Sequence, residues 1–448
     1  MSVEEINEAI DSGRFDKASV LIQEYSLVNK LESLIFKSRL SREQGKVDLA
    51  IQYAEEVISA SPFETELLLR ASGARAYALW FKGELTESLK QIEVAKALLN
   101  TLPPPRRDAI KDKESLLYHL EGTVFLFSGK IMQAWDLFQK ALAIRRRLGL
   151  QKETAISLNN CGLVYYRLGN YDNAMQYFEE SYEICKNNNF STIISLSLLN
   201  MGLIYRSRGH LDHALNSFRL ALNAARSVGD TQRTALILGN IFYIHCLTNT
   251  SEKGEKEFNE LQELHEANMN NKNIDLYYRF NLAMCHKNGT SSEFIEAQDI
   301  LRKIINSEII HHEFVTMSVK HLVELLLREY SVFPNPEILE EINTLLSEKL
   351  YLVAKANEML PTLTEALILQ SKLQYLMGNN IESQELLDQA LENAKEHNLS
   401  YLIDEVKVEI VEREQIFHSI DKLISNQAKD QRAQAVEYLN YLKKLQLR

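Results

Sequence analysis

The chain has 448 residues, of which 45% are hydrophobic, and its 61 acidic and 50 basic side chains give a formal net charge of −11. A chain of this length exceeds the size at which one hydrophobic core keeps growing, so several domains or an array of repeats are expected. The negative charge argues against a general electrostatic affinity for nucleic acids or for anionic membranes. We therefore expect no nucleic-acid partner.

Cysteine spacing and the first residues indicate the compartment. Cys161, Cys185, Cys246 and Cys285 show no CxxC or zinc-type spacing and lie within apolar helical patterns, which is typical of buried, reduced thiols. The sequence begins MSVEEINEAI, which is acidic where a secretory signal would be basic and then apolar. No apolar run approaches the roughly 18 residues of a membrane span. The sequence therefore predicts a soluble, cytoplasmic protein without membrane insertion.

A repeated unit occupies the centre of the chain. Gly129, Gly169 and Gly209 follow one another at intervals of 40 residues. Each unit also has a second glycine, an aromatic residue, an alanine and a phenylalanine at matching positions, namely Gly122, Phe125, Ala134 and Phe138; Gly162, Tyr165, Ala174 and Phe178; and Gly202, Tyr205, Ala214 and Phe218. Self-similarity at a fixed period of this size indicates a solenoid.

The order of these residues resembles the tetratricopeptide repeat, in which a small residue on the first helix lets the second helix pack closely. That repeat is usually about 34 residues long, and the longer spacing here resembles the branch exemplified by kinesin light chains and the Leu-Gly-Asn polarity adaptors. The resemblance implies an all-α fold, a right-handed superhelical solenoid of about ten helix-turn-helix pairs.

The pattern also suggests how the chain is organised. It extends toward the N-terminus as far as Gly13, and the three prolines Pro103 to Pro105 interrupt its spacing. Proline disfavours helix, so we expect a stiff extended link at this point. The predicted parts are N-terminal repeats in 1–102, a proline-rich link in 103–110, central regular repeats in 111–270, and degenerate helical repeats with a C-terminal capping helix in 271–448.

The repeat pattern weakens after the third central unit. Phe242 stands at the position of Gly202, and Gly254 replaces the alanine, although Phe258 keeps the ring position. The last predicted helix, from about Lys429 to Leu447, has one apolar face and charges elsewhere. A helix with a polar back is typical of a solenoid cap. The alternative is a dimerising helix, which would allow a homodimer through the C-terminal helices.

Helical rotation predicts which side chains line the groove. In the central unit Asn160, Leu163 and Arg167 lie opposite the side of the first helix that packs on the second. In a tetratricopeptide superhelix this side lines the concave groove. Asn160 recurs as Asn200 and Asn240, although asparagine is a poor residue for helix interiors. The resemblance to kinesin light chains and polarity adaptors implies that these amides bind the backbone of an extended peptide. The alternative is that each amide bridges neighbouring first helices.

The predicted peptide-binding groove also contains apolar, aromatic and basic side chains. Its residues are Asn160, Asn200, Asn240, Asn159, Leu163, Tyr166, Arg167, Leu203, Arg206, Tyr243, Phe127 and Leu120. Apolar side chains in a groove are typical sites for hydrophobic anchors, and arginines favour acidic groups. We therefore expect a protein or peptide partner with apolar anchors and some acidic residues.

Sequence signals for chemistry are absent. There is no P-loop, no GxGxxG after a strand and no GxSxG elbow, and the run of His311, His312 and Glu313 lacks an HExxH pattern or a second ligand pair. We expect no enzyme activity, no metal and no cofactor. The predicted function is a scaffold or adaptor that binds an extended peptide. The alternatives are a sensor for a signalling peptide or small ligand, and a structural subunit of a larger assembly.

Overall fold

The described part of the chain consists of helices joined by short loops. The computed structural model describes residues 2–11, 14–61, 63–269, 271–307 and 312–425, with side chains as far as Arg413, and it has no strand in these ranges. The predicted capping helix from Lys429 to Leu447, with the homodimer contact assigned to it, lies outside the described residues, as does Gly13.

The described helices form ten successive pairs. The first six pairs are α1 (Val3–Asp11) with α2 (Phe15–Ser26), α3 (Lys30–Glu43) with α4 (Val47–Ala60), α5 (Thr65–Lys82) with α6 (Leu85–Thr101), then, after the short α7 (Pro104–Ala109), α8 (Lys111–Phe127) with α9 (Ile131–Arg147), α10 (Gln151–Arg167) with α11 (Tyr171–Asn188), and α12 (Ser191–Ser207) with α13 (Leu211–Ser227).

The next pairs are α14 (Thr231–Leu247) with α15 (Glu255–Ala267), which follows a 3-10 turn at Ser251–Gly254, and α16 (Lys272–His286) with α17 (Ser291–Ile305). In the ninth, α18 (His312–Val332) pairs with a continuous segment of α19 (Pro336–Thr344), a π-helix (Leu345–Tyr351) and α20 (Leu352–Ala356). The tenth pair is α21 (Leu360–Leu376) with α22 (Asn380–Glu396), and α23 (Ser400–Ser425) follows it. The prediction of an all-α solenoid of about ten pairs is confirmed.

One column of glycines reverses the chain within each regular pair. Gly169 has φ +81°, in the left-handed region where a Cβ atom is unfavourable. The N–H of Asn170 donates to the carbonyl of Tyr165 at 2.9 Å, and the N–H of Gly169 donates to the carbonyl of Tyr166 at 3.0 Å. These bonds satisfy the last carbonyls of α10, as in a Schellman motif. The spacing of 40 residues therefore marks the repeated end of a first helix.

The second column of glycines lets the paired helices approach each other. A Cβ atom at Gly162 would lie 2.4 Å from Cε1 of Phe178, and a Cβ atom at Gly202 would lie 2.4 Å from Cε1 of Phe218. Both rings are fully buried. The phenylalanine of the second helix therefore packs directly against the glycine of the first helix, in the space that a Cβ atom would occupy.

The seventh pair keeps this contact with the residue sizes exchanged. The rings of Phe242 on α14 and Phe258 on α15 lie 4.6 Å apart between centroids. A Cβ atom at Gly254, just before α15, would lie 3.0 Å from Cδ2 of Phe242. The small residue thus stands on the second-helix side, where it makes room for the large ring on the first helix. The loss of the repeat pattern in this unit is compensated within the pair.

The three consecutive prolines do not form the extended link that we expected. Pro103 precedes the six-residue helix α7, which begins at Pro104. Proline is tolerated in the first turn of a helix, because an N–H group at that position has no partner within the helix. Leu99, Ile110 and Leu117 belong to one apolar cluster. The expectation of a non-helical link was therefore wrong, and the core continues past it.

The last pairs pack back against the loops of the fourth and fifth pairs. A Cβ atom at Gly169 would lie 2.9 Å from Cγ of Pro361 and 3.1 Å from Cδ2 of Leu399. At the loop between α8 and α9, a Cβ atom at Gly129 would lie 2.8 Å from Oδ1 of Asn357. The fourth to tenth pairs consequently form one closed turn of the superhelix, which we call the closed turn.

A buried polar network joins α18 to the first helices inside the closed turn. His321 is 3% exposed, its Nε2 lies 2.8 Å from Oη of Tyr243, and its Nδ1 lies 3.0 Å from Oε2 of Glu324. The ammonium group of Lys287 contacts the same carboxylate at 2.5 Å. Burial, followed by the nearby Lys287, lowers the pKa of His321 to about 4. His321 is therefore neutral in the folded protein near neutral pH.

The contact between glycine and phenylalanine predicts opposite effects for two glycine-to-alanine substitutions. Gly202→Ala should lower the free energy of unfolding by about 1–2 kcal/mol, because the ring of Phe218 must move. Gly73→Ala on α5 is the matched control, since its Cβ would meet nothing nearer than 3.9 Å. That variant should be stabilised by roughly 0.5–1 kcal/mol through helix propensity. Urea denaturation measures both effects.

A second substitution tests the cause. In Gly202→Ala combined with Phe218→Leu, the loss should be smaller than the sum of the two single losses, because the smaller side chain removes the collision. Additive losses would show that the two residues do not share one contact.

The neutral state of His321 predicts a loss of stability in acid. A histidine with a pKa near 6.5 in the unfolded chain and about 4 in the fold binds its proton first in the unfolded state. The contribution of His321 to the free energy of unfolding is therefore complete above about pH 6.5 and is lost as the pH falls toward about 4, by on the order of 3 kcal/mol. Urea denaturation at a series of pH values should show a shallower decline for His321→Gln. Parallel curves for the two proteins would contradict this assignment.

Candidate functional site

The predicted groove residues all lie on first helices, namely α8, α10, α12 and α14. These helices line the inside of the closed turn, because α18 of the ninth pair reaches side chains of α10 and α12 from across it. We call this surface the inner groove. The successive helix pairs place it there by stacking side by side.

A charged cluster stands at the centre of the inner groove. Oε2 of Glu313, at the start of α18, lies 3.5 Å from Nη2 of Arg167, and Oε1 lies 3.4 Å from Nη2 of Arg206. One carboxylate thus bridges two arginines of neighbouring pairs. Both distances are at the outer limit of a hydrogen bond. The exposed fraction of the side chain is 20% for Arg167, 11% for Arg206 and 24% for Glu313.

Arg206 is held by further partners. Its Nη1 donates to Oδ1 of Asn240, and its guanidinium carbon lies 5.4 Å from the ring centroid of Tyr243, which is a cation–π distance. Burial alone would lower the pKa of Arg206, but Tyr166 and Glu313 raise it overall. The guanidinium group is therefore charged and fixed in orientation, as recognition of an anionic group requires.

The asparagines bridge neighbouring first helices in this structure. Nδ2 of Asn159 donates to Oγ of Ser197 at 3.0 Å, and Nδ2 of Asn200 donates to Oδ1 of Asn159 at 3.2 Å. Nδ2 of Asn160 lies 3.1 Å from Nδ1 of His119. These contacts explain why asparagine recurs at positions where it is unfavourable in a helix. Contact of Asn160, Asn200 and Asn240 with a bound peptide remains a prediction.

Exposure divides the predicted residues into two sets. The partly exposed residues are Asn160, Leu163, Tyr166, Arg167, Arg206 and Phe127. The buried residues are Asn159, Asn200, Asn240, Leu203, Tyr243 and Leu120. Arg167 and Arg206 of the partly exposed set contact Glu313 directly. Asn240 and Tyr243 of the buried set hold the guanidinium group of Arg206.

A cavity of about 50 Å³ lies beside Arg206 in the inner groove. Leu203, Asn240 and Tyr243 of the predicted set line this cavity together with Arg206. Glu313, Phe314 and Met317 of α18 also line this cavity, and we did not predict these three residues as part of the groove. Glu313 stood out in the sequence only as part of a metal-like run, since its arginine partners lie far away along the chain.

The structure adds no metal chemistry to this site. Within the residues that it describes, no group of three or more His, Cys, Asp or Glu side chains is placed to hold a metal ion. His311 lies outside the described residues, and Glu313 faces arginines instead. A helix both long enough and apolar enough to cross a membrane is likewise not found in the described ranges.

Two family models match the chain, and both carry the description tetratricopeptide repeat. One covers residues 114–187, which span α8 to α11, and the other covers residues 197–232, which include α13. No curated protein sequence matches the chain. The models do not single out the kinesin light chain or polarity adaptor branch.

Solved structures with a similar fold include NprR in complex with its cognate peptide NprX, at 12% identity and a TM-score of 0.53 over 77% of this chain and 96% of that one. Aspartyl phosphate phosphatase F from Bacillus subtilis is similar at 11% identity and a TM-score of 0.51, over 78% and 95%. The apo form of the quorum sensor NprR from B. thuringiensis is similar at 14% and 0.50, over 82% and 99%.

At these identities the three structures show the fold alone. They share the helical solenoid, and the matched family models lie in the pairs where the glycine and phenylalanine contact is regular. The chain contains tetratricopeptide repeats at residues 114–187 and 197–232, within a longer helical solenoid.

Proposed function

We propose that the chain is a non-enzymatic adaptor of the cytoplasm that binds an extended peptide segment of a partner protein in the inner groove. The observation that carries this proposal is the charged cluster of Arg167, Arg206 and Glu313, which is partly exposed inside a solenoid. Charged groups at such a place are costly for stability alone. They are well suited to fixing the position of a bound chain.

The spacing of the first helices favours an extended ligand. Packed helices stand about 8–10 Å apart, and an extended chain advances about 3.3 Å per residue, so a peptide that crosses the groove meets a new helix about every third residue. Leu163 on α10 and Leu236 on α14 are partly exposed and can receive apolar anchors of such a peptide. Arg167 lies on α10 together with Leu163, and Arg206 lies on α12, between α10 and α14.

The size of the cavity argues against a small metabolite at this point of the groove. Pockets for drug-sized ligands are typically about 300–1,000 Å³, whereas the cavity beside Arg206 is about 50 Å³. A peptide that lies along the surface of the first helices does not need an enclosed pocket. Peptide binding is therefore favoured over small-ligand binding.

A second candidate function is a sensor for a signalling peptide. Glu313 connects the ninth pair to the fifth and sixth pairs across the groove, so a ligand that separates these contacts would also change the closed turn. The quorum sensor NprR, which has also been solved in complex with its cognate peptide NprX, has a similar fold and supports considering this class. A peptide-dependent change in the radius of gyration would distinguish a sensor from a rigid adaptor.

The adaptor proposal predicts that binding depends on partly exposed groove residues. Peptides are first selected on the wild-type protein from a random-sequence display library, and their affinities are then measured by fluorescence anisotropy. The double variant Asn160→Ala with Leu163→Ala should bind the selected peptides about tenfold more weakly, because one hydrogen-bonding amide and one apolar contact are removed. The melting temperature of each variant reports whether the fold is retained.

The matched control makes the same two changes on a second helix. Asn216 and Leu220 are exposed on α13, so Asn216→Ala with Leu220→Ala removes one amide and one leucine outside the inner groove. This control should leave the affinity unchanged. Equal losses in the two double variants, or no loss in the groove variant, would contradict peptide binding in the inner groove.

A further inference from the structure

We infer that Glu313 occupies the position of an acidic side chain of the peptide partner, and that the two carboxylates compete for Arg167 and Arg206. This inference rests on the proposed peptide-binding function and names the ligand chemistry of its central position. The ligand is an extended peptide with a glutamate or aspartate between its apolar anchors.

The first support is the length of the two Glu313 contacts. Other arginines of the chain that pair with carboxylates on neighbouring repeats do so at shorter distances, namely Arg226 with Glu260 at 2.5 Å, Arg208 with Asp172 at 2.6 Å and Arg302 with Glu341 at 2.7 Å. The two contacts of Glu313 are 3.4 and 3.5 Å long. Because longer charged contacts are weaker, Glu313 is the easier carboxylate to replace.

The second support is that Arg206 keeps its orientation without Glu313. Asn240 accepts a hydrogen bond from its Nη1, and the ring of Tyr243 faces the guanidinium group. Only 11% of the Arg206 side chain is exposed, so the positive charge has little access to water. A charge in this environment needs a carboxylate nearby. Displacement of Glu313 is therefore favourable only when another anionic group takes its place.

Position within the solenoid favours a side-chain carboxylate over a C-terminal one. Arg167 and Arg206 lie on the first helices of the fifth and sixth of ten pairs, so the groove continues past them in both directions. An extended peptide centred here places an internal residue at the arginines and its ends at neighbouring repeats. Glu313 itself presents a side-chain carboxylate to the same two groups.

Exchange of the carboxylates has a consequence for the closed turn. Glu313 lies near the start of α18, and its contacts connect that helix to α10 and α12. A peptide carboxylate that binds the arginines ends this connection. Peptide binding and the attachment of α18 are thus coupled through the same pair of arginines.

Defined peptide pools test this inference. Two fluorescent heptapeptide pools, acetylated and amidated at their ends, carry three randomised residues on each side of a central Glu or a central Gln. A third pool has a central Gln and a free C-terminal carboxylate. Binding of each pool is titrated by anisotropy against the wild type, Glu313→Gln, Arg167→Gln and Glu260→Gln.

The inference has a defined expected result. The Glu-centred pool should bind the wild type about fivefold more tightly than the Gln-centred pool, and Glu313→Gln should strengthen binding of the Glu-centred pool about tenfold, because the internal competitor is removed. Arg167→Gln should remove most of the preference for Glu. Glu260→Gln makes the same charge change at an ion pair on α15 and should behave as the wild type.

Other results separate the two proposals. If both amidated pools bind equally well and Glu313→Gln has no effect, peptide binding stands and the role of Glu313 is overturned. If the pool with a free C-terminal carboxylate binds most tightly, the arginines bind a chain end and the assignment to an acidic side chain is overturned. If no pool binds any of the proteins, the peptide-binding function itself fails, and the inference fails with it.

Discussion

The close approach of the two helices in the fourth to seventh pairs is the contact on which the inner groove depends. Where Gly162 faces Phe178, the absence of a Cβ atom lets a whole aromatic ring stand against the backbone of the first helix. In the seventh pair the large ring is Phe242 on α14, and the small residue is Gly254, just before α15. In the fourth to seventh pairs one small residue thus meets one large ring, and either helix of the pair can supply the ring.

Repetition of that contact produces a surface as well as a core. Once each first helix is fixed against its partner, its opposite side faces the inside of the superhelix, and successive first helices place their side chains next to one another. The closed turn changes this surface from an open groove into a partly enclosed one. Charges meet across it, and the reduced access to water strengthens their interactions. The neutral state of His321 and the raised pKa of Arg206 reflect that environment.

Buried and accessible positions alternate among residues of the same helices. Asn159 and Asn200 are buried in contacts between neighbouring repeats, whereas Asn160, Leu163 and Arg167 keep part of their surface open. A mutation in the first group changes the packing of the solenoid, and a mutation in the second group changes what the groove presents. The inner groove is thus best understood as a small accessible set held in place by a larger buried one.

By itself, the sequence determined the helical fold, the pairing of the helices and the side of the first helix that lines the groove. These features follow from contacts within one pair or between adjacent pairs, which recur at a fixed spacing along the chain. Only the tertiary structure decided that Pro104 begins a helix and that Asn200 donates to Asn159. It also decided that Glu313 contacts Arg206 and Arg167, which precede it in the sequence by 107 and 146 residues. The helix at Pro104 depends on the tolerance of proline in an initial helical turn, and the bond between Asn200 and Asn159 depends on the stacking of neighbouring repeats. The contacts of Glu313 depend on the superhelical rotation that accumulates over several pairs, and no local sequence pattern indicates the total rotation.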